Sequence, residues 1–411
     1  MGWAVDRIWV CCTLRRQNGG DPSDLTQPCA RTDCYPLVPV TLWGPLNRIP
    51  DRERLPHPPG MLADLTAQLL KPQDLDAPAI AEAVRALADP EQDIEAKARF
   101  LTALSRKGET TAELAGFARE LRALSIPVPV SDSVRRGEVL DVCGTGGDRL
   151  NTFNISTTVA IVCAAAGCVV AKHGNRAITS QSGSADVLQA LGIPIELPPD
   201  RAAESLDRHG FAFLFAPLFH PAFRHIGPAR RLCAERGQRT LFNFLGPLLN
   251  PARPTCQLVG VSRPAVCEPI ARTLQDLGLR RAMVVCGQVP TVLGSDPAHL
   301  DELSTLGSNT IAEFHHDRGF SCTEWSASDF PLQSACLTDL AGGDAAQNAQ
   351  LIRDILAGRD RGPRRDAVLL NASAALMVAG VVRSMVEGWD LAGEIMDSGK
   401  ATAKLNALKA G

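Results

Sequence analysis

Between residues 61 and 125, apolar residues recur every three or four positions, a spacing that places them on one face of an α-helix. Four such stripes are separated by proline- or glycine-containing breaks, and they consist of Leu62, Leu65 and Leu69; Ile80, Val84 and Leu87; Ile94, Leu101 and Leu104; and Leu114, Phe117, Leu121 and Leu124. The segment Thr110 to Glu113 has the sequence of a helix capping box. We therefore predict a small four-helix bundle, whose free apolar face would either form a dimer or pack only against the rest of the chain.

A proline-bearing linker, residues 126–130, leads into a different pattern. Helical segments now alternate with short apolar runs of strand length, which lie at 139–143, 168–171, just after Gly192, and at 211–215, 257–261, 282–285 and within 310–325. Strands that alternate with helices are typical of a parallel sheet covered by helices. The predicted fold class is α/β, with a small N-terminal helical bundle domain and a larger α/β domain around a mainly parallel central sheet.

Composition adds limits to this picture. The 411 residues are 45% hydrophobic and 21% charged, which suits a sizeable core and two domains. The formal net charge of -3 gives no reason to expect nucleic acid or a membrane as a partner, and no apolar run reaches transmembrane length. The 13 cysteines are odd in number and scattered, and several lie in apolar runs. We therefore expect buried thiols and a cytoplasmic location.

The first sixty residues differ in kind from the rest. They are rich in proline and show no sustained helical or alternating pattern. Asp6 and Arg7 interrupt the short apolar start, so a secretory signal peptide is not indicated. Our hypothesis is that residues 1–60 are a disordered or non-native extension, and that Met61 is the functional start.

The stretch from Val139 to Thr158 carries the strongest chemical signal. An apolar strand enters the turn Gly144-Thr145-Gly146-Gly147 and leaves through Asp148 toward a helix that starts with Asn and Ser/Thr side chains. Glycines let a ligand approach bare backbone, and the first N–H groups of a helix have no partner within that helix. Such a turn attracts anions, and Ser156 offers a hard oxygen to a magnesium ion bound to phosphate. The pattern favours a polyphosphate ligand.

A second polar turn follows the next predicted strand. Lys172, His173, Asn175 and Arg176 come directly after the apolar run 168–171, and hydroxyl-rich residues 179–184 follow them. If the strand ends at residue 171, these side chains emerge at its carboxyl end, where parallel α/β sheets bind ligands. The two strand-to-helix turns therefore predict one anion site.

These motifs together resemble a known family. The segments D-V-C-G-T-G-G-D (141–148), N-I-S-T (154–157), K-H-G-N-R (172–176) and S-G-S-A-D-V-L (182–188) are similar to those of the anthranilate phosphoribosyltransferases, class II phosphoribosyltransferases with a nucleoside phosphorylase-like fold. The resemblance extends from Met61 to the end of the chain. It implies a helical domain of residues 61–130, completed by about 217–252, and an α/β domain of residues 131–216 and 253–411 that binds phosphoribosyl pyrophosphate.

The resemblance also implies a binding role for particular residues. The implied contacts to the phosphoribosyl pyrophosphate donor are Gly144, Gly147, Asp148, Thr152, Asn154, Ile155, Ser156, Thr157, Lys172, His173, Gly174, Asn175, Arg176, Ala177, Ile178, Thr179, Ser180 and Ser184. Anthranilate would contact Gly144, Asn175 and Arg230. Arg230 would face the carboxylate, for which a forked guanidinium is suited. From the residues alone, a surface helix arginine is the favoured interpretation.

The segment His299 to Ser304, H-L-D-E-L-S, is a candidate magnesium site. Adjacent carboxylates repel each other unless they are solvated or bridged by a cation, although Asp-Glu pairs are common by chance. In the family this pair holds one magnesium ion and the serine that matches Ser156 helps to hold another, so the resemblance implies two ions per subunit, with Ser156, Asp301 and Glu302 as ligands. The loop 287–301 is longer than the family's usual pattern.

The predicted reaction is transfer of a 5-phosphoribosyl group from phosphoribosyl pyrophosphate to anthranilate, with release of pyrophosphate, in tryptophan biosynthesis. No Ser-His-Asp or Cys-His arrangement stands out, so no covalent nucleophile is expected. The resemblance further implies a homodimer through the helical domain. Two alternatives stay open: a pyrimidine nucleoside phosphorylase, which shares the architecture, and a non-catalytic relative that binds nucleic acid, for which decayed donor motifs and a basic surface would be expected.

Overall fold

The computed structural model describes residues 60–71, 73–177, 181–290, 298–316 and 319–410. The N-terminal segment 1–59, and with it the predicted extension, lies outside the described residues. Within them no helix is long and apolar enough to cross a bilayer. Seven of the cysteines described are buried free thiols, among them Cys163, Cys168, Cys256 and Cys286, as expected from their apolar surroundings.

The chain begins with the four predicted helices: α1 (Met61–Leu69), α2 (Ala77–Ala88), α3 (Ile94–Lys107) and α4 (Thr111–Ala123). Their predicted apolar stripes pack into one core, and the capping box at Thr110 and Glu113 is present. Ile94 is an exception: it is the first residue of α3 and 47% exposed, so this end of the stripe lies outside the core. A later helix, α10 (Phe223–Glu235), packs against α3 and α2 and joins the same core.

The rest of the described chain builds an α/β layer structure. After a short helix α5 (Asp132–Arg135), its elements are β1 (Val139–Gly144), α6 (Ile155–Ala165), β2 (Val169–Gly174), α7 (Ser184–Leu191), α8 (Pro199–His209), β3 (Phe211–Phe215), α9 (Ala216–Phe219), α10, α11 (Phe242–Leu245), β4 (Cys256–Gly260), α12 (Cys267–Asp276), β5 (Arg281–Val289), β6 (Ala298–Leu300), β7 (Ser308–His315), β8 (Gly319–Ser326), α13 (Ala345–Leu356), α14 (Pro363–Val378), α15 (Met385–Asp397) and α16 (Lys400–Lys409).

These strands form one sheet in the order β3-β2-β1-β4-β5-β7-β8, with β6 paired to β5. Strands β3, β2, β1, β4 and β5 are parallel, whereas β6, β7 and β8 add antiparallel pairs. The mainly parallel α/β fold with an N-terminal helical bundle is thus the fold predicted. A strand predicted after Gly192 is absent, because Pro194, Pro198 and Pro199 remove the N–H donors that pairing needs, while Ile193 and Ile195 still reach the core.

Candidate active site

The glycine turn lies at the carboxyl edge of the sheet. Gly144, the last residue of β1, is in register with Gly260 of β4, and Thr145 N donates to Gly260 O at 2.9 Å. The φ angles of Gly146 and Gly147 are 74° and 84°, values that side-chain-bearing residues rarely adopt. The strand order reverses between β1 and β4, and ligands bind at such a point in open α/β sheets.

The Asp301-Glu302 pair contacts both anion-binding segments of this edge. Asp301 Oδ2 accepts a hydrogen bond from Gly146 N at 2.6 Å, and Glu302 Oε1 accepts one from Ser156 N at 3.0 Å. A Cβ at Gly144 would lie 2.8 Å from Asp301 Cγ, so a side chain at this position would displace the Asp301 carboxylate from the turn. Residues about 150 positions apart in the sequence are therefore brought together around one opening.

The charges around this opening are unbalanced. Burial raises the pKa of Asp301 well above its usual range, and the neighbouring charges of Asp148 and Glu302 raise it further. Burial raises the pKa of Glu302 to about 7, although Lys172 and the Ser156 N–H favour its charged form. The Asp301 and Glu302 carboxylates, with the Ser156 hydroxyl nearby, supply hard oxygen atoms of the kind that bind a divalent cation.

No group of three or more His, Cys, Asp and Glu side chains with the geometry of a metal site occurs among the described residues. The predicted metal ligands do not require such a group, because they are two carboxylates and one hydroxyl. The position of Asp148 beside Asp301 could not be predicted from the sequence, since nothing local links residues 148 and 301.

Lys172 and His173 do not emerge from the strand as predicted. Strand β2 continues to Gly174, so both side chains lie inside it and are buried, Lys172 with 2% of its surface exposed. Lys172 Nζ donates to Val142 O at 2.5 Å and to Ser156 Oγ at 3.3 Å. The prediction that the strand ends at residue 171 was wrong. Lys172 can stay inside the strand because its buried amine bonds Val142 O and Ser156 Oγ, and the charges of nearby carboxylates favour its charged form.

Toward the carboxyl ends of β1 and β2, hydrogen bonds to the Asp141 side chain replace main-chain pairing between the two strands. The two strands pair only at Val139 and Leu140, whereas β1 and β4 pair over five residues. Beyond that point Asp141 accepts from His173 N at 3.3 Å and from Asn250 Nδ2 at 2.9 Å. Asp141 is fully buried and its pKa is raised by burial. A carboxylate inside an apolar strand is the sequence signal that pointed to this network.

The remaining donor motif residues form one connected loop. Ser184 Oγ donates to Asn175 O at 3.3 Å, and Arg176 forms an ion pair with Asp186 at 2.9 Å. Asn175 and Arg176 are exposed, whereas Ala177 is partly buried and its N donates to Asp186 Oδ2 at 2.9 Å. Ile178, Thr179 and Ser180, also predicted to contact the donor, lie outside the described residues.

The start of α6 is fixed by groups far away in the sequence. Asn154 donates to Ser182 O and accepts from Asn348 Nδ2 at 2.9 Å, and Thr152 bridges to Ala341. Ile155 and Thr157 are 1% exposed, so they can face a ligand only through their main chain. Asn348 lies in the amphipathic helix α13, where no local motif marks it.

Arg230 lies on α10, the helix that packs against α3 and α2 of the bundle. Its guanidinium carbon stands 5.0 Å from the ring centre of Phe242 and 6.0 Å from that of Phe223. Phe223 contacts His220, with 5.6 Å between ring centroids, and the His220 and His173 Nε2 atoms are 3.2 Å apart. A row of rings therefore connects Arg230 with the end of β2. Burial lowers the pKa of Arg230 and brings those of His173 and His220 to about 3 and 4, so both histidines are neutral near pH 7.

The chain matches two family models. Residues 63–125 match the helical bundle domain of a glycosyl transferase family, and residues 136–402 match the a/b domain of the same description. The second match alone covers more than half of the chain.

Curated relatives carry one common name. The chain is 44% identical over 347 residues to an anthranilate phosphoribosyltransferase of Roseiflexus castenholzii, covering 84% of this chain and 97% of the relative. It is 46% identical over 351 residues to one from Moorella thermoacetica, covering 85% and 98%.

Solved structures of similar fold agree. The anthranilate phosphoribosyltransferase of Thermus thermophilus superposes with a TM-score of 0.74 at 40% identity, covering 84% of this chain and 98% of the other. That of Saccharomyces cerevisiae in complex with PRPP and Mg gives 0.74 at 26% identity, covering 86% and 98%. The same yeast enzyme in complex with 4-fluoroanthranilate gives 0.72 at 25% identity, covering 85% and 98%.

Proposed function

The chain belongs to the anthranilate phosphoribosyltransferase family, and from this premise we propose that Gly144, Asp301 and Arg230 line one cleft in which the transfer takes place. The reaction joins C1 of the phosphoribosyl group to the amino nitrogen of anthranilate and releases pyrophosphate, a step of tryptophan biosynthesis. One observation supports the assignment of the cleft above all: the two carboxylates at 301 and 302 meet the glycine turn and the start of α6 at 2.6 and 3.0 Å.

The glycine turn and the start of α6 bind the diphosphate in this proposal. The left-handed glycines, residues 146 and 147, turn the backbone around an open, exposed surface. Main-chain N–H groups there, together with the side chains of Asn154 and Ser156, offer donors to phosphate oxygens. Asn175, Arg176 and Ser184 would close over the ribose phosphate from the second turn, and Lys172 supports the site from below.

We propose that magnesium binds at Asp301, Glu302 and Ser156, with two ions per subunit. The residues fit, since two carboxylates at 301 and 302 and the Ser156 hydroxyl are the hard oxygen donors that magnesium prefers, and Glu302 accepts from Ser156 N at 3.0 Å. When bound, the cation supplies charge neutralisation for the leaving pyrophosphate. Asp148 would act with this group by holding Asp301 in place.

The acceptor site is the row of rings beside Arg230. An aromatic carboxylate fits a guanidinium fixed against two phenyl rings, because the carboxylate takes both forked N–H groups while its ring stacks on neighbouring aromatics. Asn175 and the Gly144 backbone would then meet the amino group near the donor. A dedicated base is not required, since the amine is already nucleophilic; the chain contributes orientation and charge stabilisation.

The direct test uses the purified full chain. Anthranilate fluorescence should fall when phosphoribosyl pyrophosphate and magnesium are both present, and not when either is left out. Uridine and thymidine with inorganic phosphate form the second arm. Cleavage of a nucleoside without loss of anthranilate would overturn the proposal in favour of a pyrimidine nucleoside phosphorylase.

Arg230→Met tests the acceptor assignment, with Arg231→Met as the matched control on the exposed side of the same helix. We expect the KM for anthranilate to rise at least tenfold in Arg230→Met, because a charge-assisted carboxylate contact is lost, and to stay near the original value in Arg231→Met. The KM for phosphoribosyl pyrophosphate should stay within about twofold in both. Equal anthranilate KM values would contradict the assignment.

The oligomeric state and location follow as further proposals. Leu70 is 80% exposed and Ile94 47% exposed, and they lie at ends of helices α1 and α3, which pack together. We propose that this face forms a homodimer of a cytoplasmic enzyme whose helical domain comprises residues 61–130 completed by about 217–252. Sedimentation should give twice the chain mass, and Leu70→Lys should shift it toward the monomer; a monomer for the unaltered chain would contradict the dimer.

A further inference from the structure

A second concavity opens at the sheet edge opposite the glycine turn. Its volume is about 280 Å³, and its walls are the end of α4, the turn before β4 and the turn between α12 and β5. Thr255 lines it, while Gly260 at the other end of β4 lies beside the glycine turn. These residues are five steps apart along an extended strand, about 16 Å, so the two sites are separate.

The lining is strongly basic. Arg119, Arg122 and Arg253 are three of its side chains, and the rest of the lining, residues 254, 255 and 277–279, contains no acid. Across the described parts of the chain, none of these three arginines forms an ion pair with a carboxylate. Glu138, which accepts from Thr255 Oγ1, is already paired with Arg280 at 3.2 Å and Arg281 at 3.8 Å. No carboxylate in the lining therefore pairs with these arginines, and the buried Asp141 offsets only part of the charge of Arg122.

Arg122 shows the imbalance most clearly. Its Nε donates to Leu248 O at 2.5 Å, but its Nη2 is buried without a hydrogen-bond partner among the described residues. Burial and the nearby charge of Arg253 lower the pKa of Arg122 to about 10. Asp141 favours the charged form of Arg122 without pairing with it. A buried guanidinium N–H group without a hydrogen-bond partner is unfavourable, and an anion that binds beside it recovers part of that free energy.

Helix electrostatics explain only part of this arrangement. Arg119 and Arg122 lie near the end of α4, where positive side chains interact well with the helix dipole. Arg253 belongs to no helix and has a left-handed φ of 53°, which is uncommon for a residue with a side chain. This backbone conformation directs the Arg253 side chain into the concavity as a third positive charge. The charge of Arg253 disfavours the ionised form of Arg122.

We propose that the concavity formed by Arg119, Arg122 and Arg253 binds a multiply charged oxyanion, either a phosphate group or a polycarboxylate. Arg122 would contribute its fixed guanidinium, and the exposed Arg119 and Arg253 would close on the anion from the two sides. Because α4 belongs to the helical bundle and β4 to the sheet, the bound anion bridges both layers. The proposal does not depend on the reaction assigned to the cleft.

Inorganic phosphate is the first probe, used on the full chain with magnesium and pyrophosphate already saturating the cleft and with sodium chloride holding the ionic strength constant. Calorimetry should show one saturable site, and phosphate should raise the Tm because it binds only the folded state. Citrate tests whether a polycarboxylate also binds. If citrate competes with phosphate, the site binds both classes of oxyanion; if it does not compete, the site is assigned to phosphate.

The variant pair is Arg119→Gln with Arg253→Asn, since asparagine tolerates the left-handed backbone at 253. Its matched control is Arg106→Gln with Arg231→Gln, two exposed arginines that do not line the concavity. We expect the Kd for phosphate to rise at least tenfold in the first pair and to stay within twofold in the control. Absence of a saturable site in the unaltered chain, or equal Kd values in the two pairs, overturns the proposal; loss of transferase activity alone does not bear on it.

Discussion

Replacing Gly260 with alanine should damage the cleft while leaving the fold intact. A Cβ at this position would overlap the carbonyl group of Asp301 and lie 3.1 Å from the Asp301 Cα. These are backbone atoms, so no side-chain rotation relieves the overlap. Real Cβ contacts are not shorter than 3.0 Å, and the Asp301-Glu302 segment must therefore move by more than about 1 Å, a displacement that costs roughly a hundredfold in rate when it affects aligned groups.

The expected result is a fall of about a hundredfold in kcat/KM and a rise in the magnesium concentration needed for half-maximal rate. Circular dichroism should still show a cooperative thermal transition, with the stability lowered by about 1 to 3 kcal/mol for the overpacked position. Gly137→Ala is the control, because its Cβ would meet only Val134 O, at an ordinary 3.5 Å.

Gly144→Ala provides a graded second variant. Its Cβ would meet the Asp301 side chain, with Cγ at 2.8 Å, which can rotate away, and the Asp301 carbonyl oxygen at 3.1 Å, which needs to move by only a few tenths of an ångström. The loss of kcat/KM should thus be smaller than for Gly260→Ala. Turnover in a folded Gly260→Ala protein that equals the Gly137→Ala control would refute the reasoning that this close approach positions the magnesium carboxylates.

Four further results are expected. His173 and His220, with pKa values of about 3 and 4, stay neutral in the fold but take up protons near pH 6.5 when unfolded, so acidification from pH 6.5 to 4 lowers the free energy of unfolding by up to about 1.4 kcal/mol per pH unit for each histidine. Urea unfolding at pH 5 and 7 should show this slope, and the paired substitution to glutamine should reduce it; an unchanged slope contradicts the assignment. Lys97→Met removes the hydrogen bonds from the Lys97 amine to Asp89 O at 2.6 Å and to His225 O at 3.1 Å, so the free energy of unfolding in urea should fall by about 2 kcal/mol. The anthranilate KM should rise, because His225 and Arg230 lie on the same helix, α10. An unchanged stability and an unchanged KM would contradict a positioning role of Lys97. Asn371→Leu leaves the Leu303 N–H and carbonyl without their partner, so the free energy of unfolding should fall by about 2 kcal/mol and the magnesium concentration needed for half-maximal rate should rise. Unchanged stability with an unchanged magnesium response would contradict the positioning role of Asn371. A chain that starts at Met61 should retain the full kcat/KM, and an inactive truncation would show that residues 1–60 contribute.

The sequence predicted those features that depend on local pattern. The helical spacing of apolar residues predicted the bundle, and the alternation of strand and helix segments predicted the parallel sheet. The glycines at 144, 146 and 147 indicated the turn, because the local backbone geometry requires them. The pairing of the Asp-Glu segment with that turn came from the family resemblance, not from the residues. The structure now places those carboxylates beside the turn, while the assigned binding roles stay predictions.

What the sequence did not reveal depends on long-range contacts. Asn371, in the mostly apolar helix α14, bonds both the N–H and the carbonyl of Leu303 at 2.9 Å and so fixes the Asp-Glu segment. A single buried amide in an apolar helix was its only signal. Lys172 was assigned to a loop because charged residues are rarely fully buried, yet its partners Val142 O and Ser156 Oγ lie on elements that sequence spacing cannot place beside it.

The most direct test of the central claim is calorimetric titration of the full chain with phosphoribosyl pyrophosphate, with and without magnesium. Saturable binding is predicted only when magnesium is present, with the Kd raised at least a hundredfold when Asp301→Asn and Glu302→Gln are combined. Equal affinity in the presence of a chelator, or in the combined variant, would contradict a cleft in which these carboxylates and the glycine turn hold the diphosphate together.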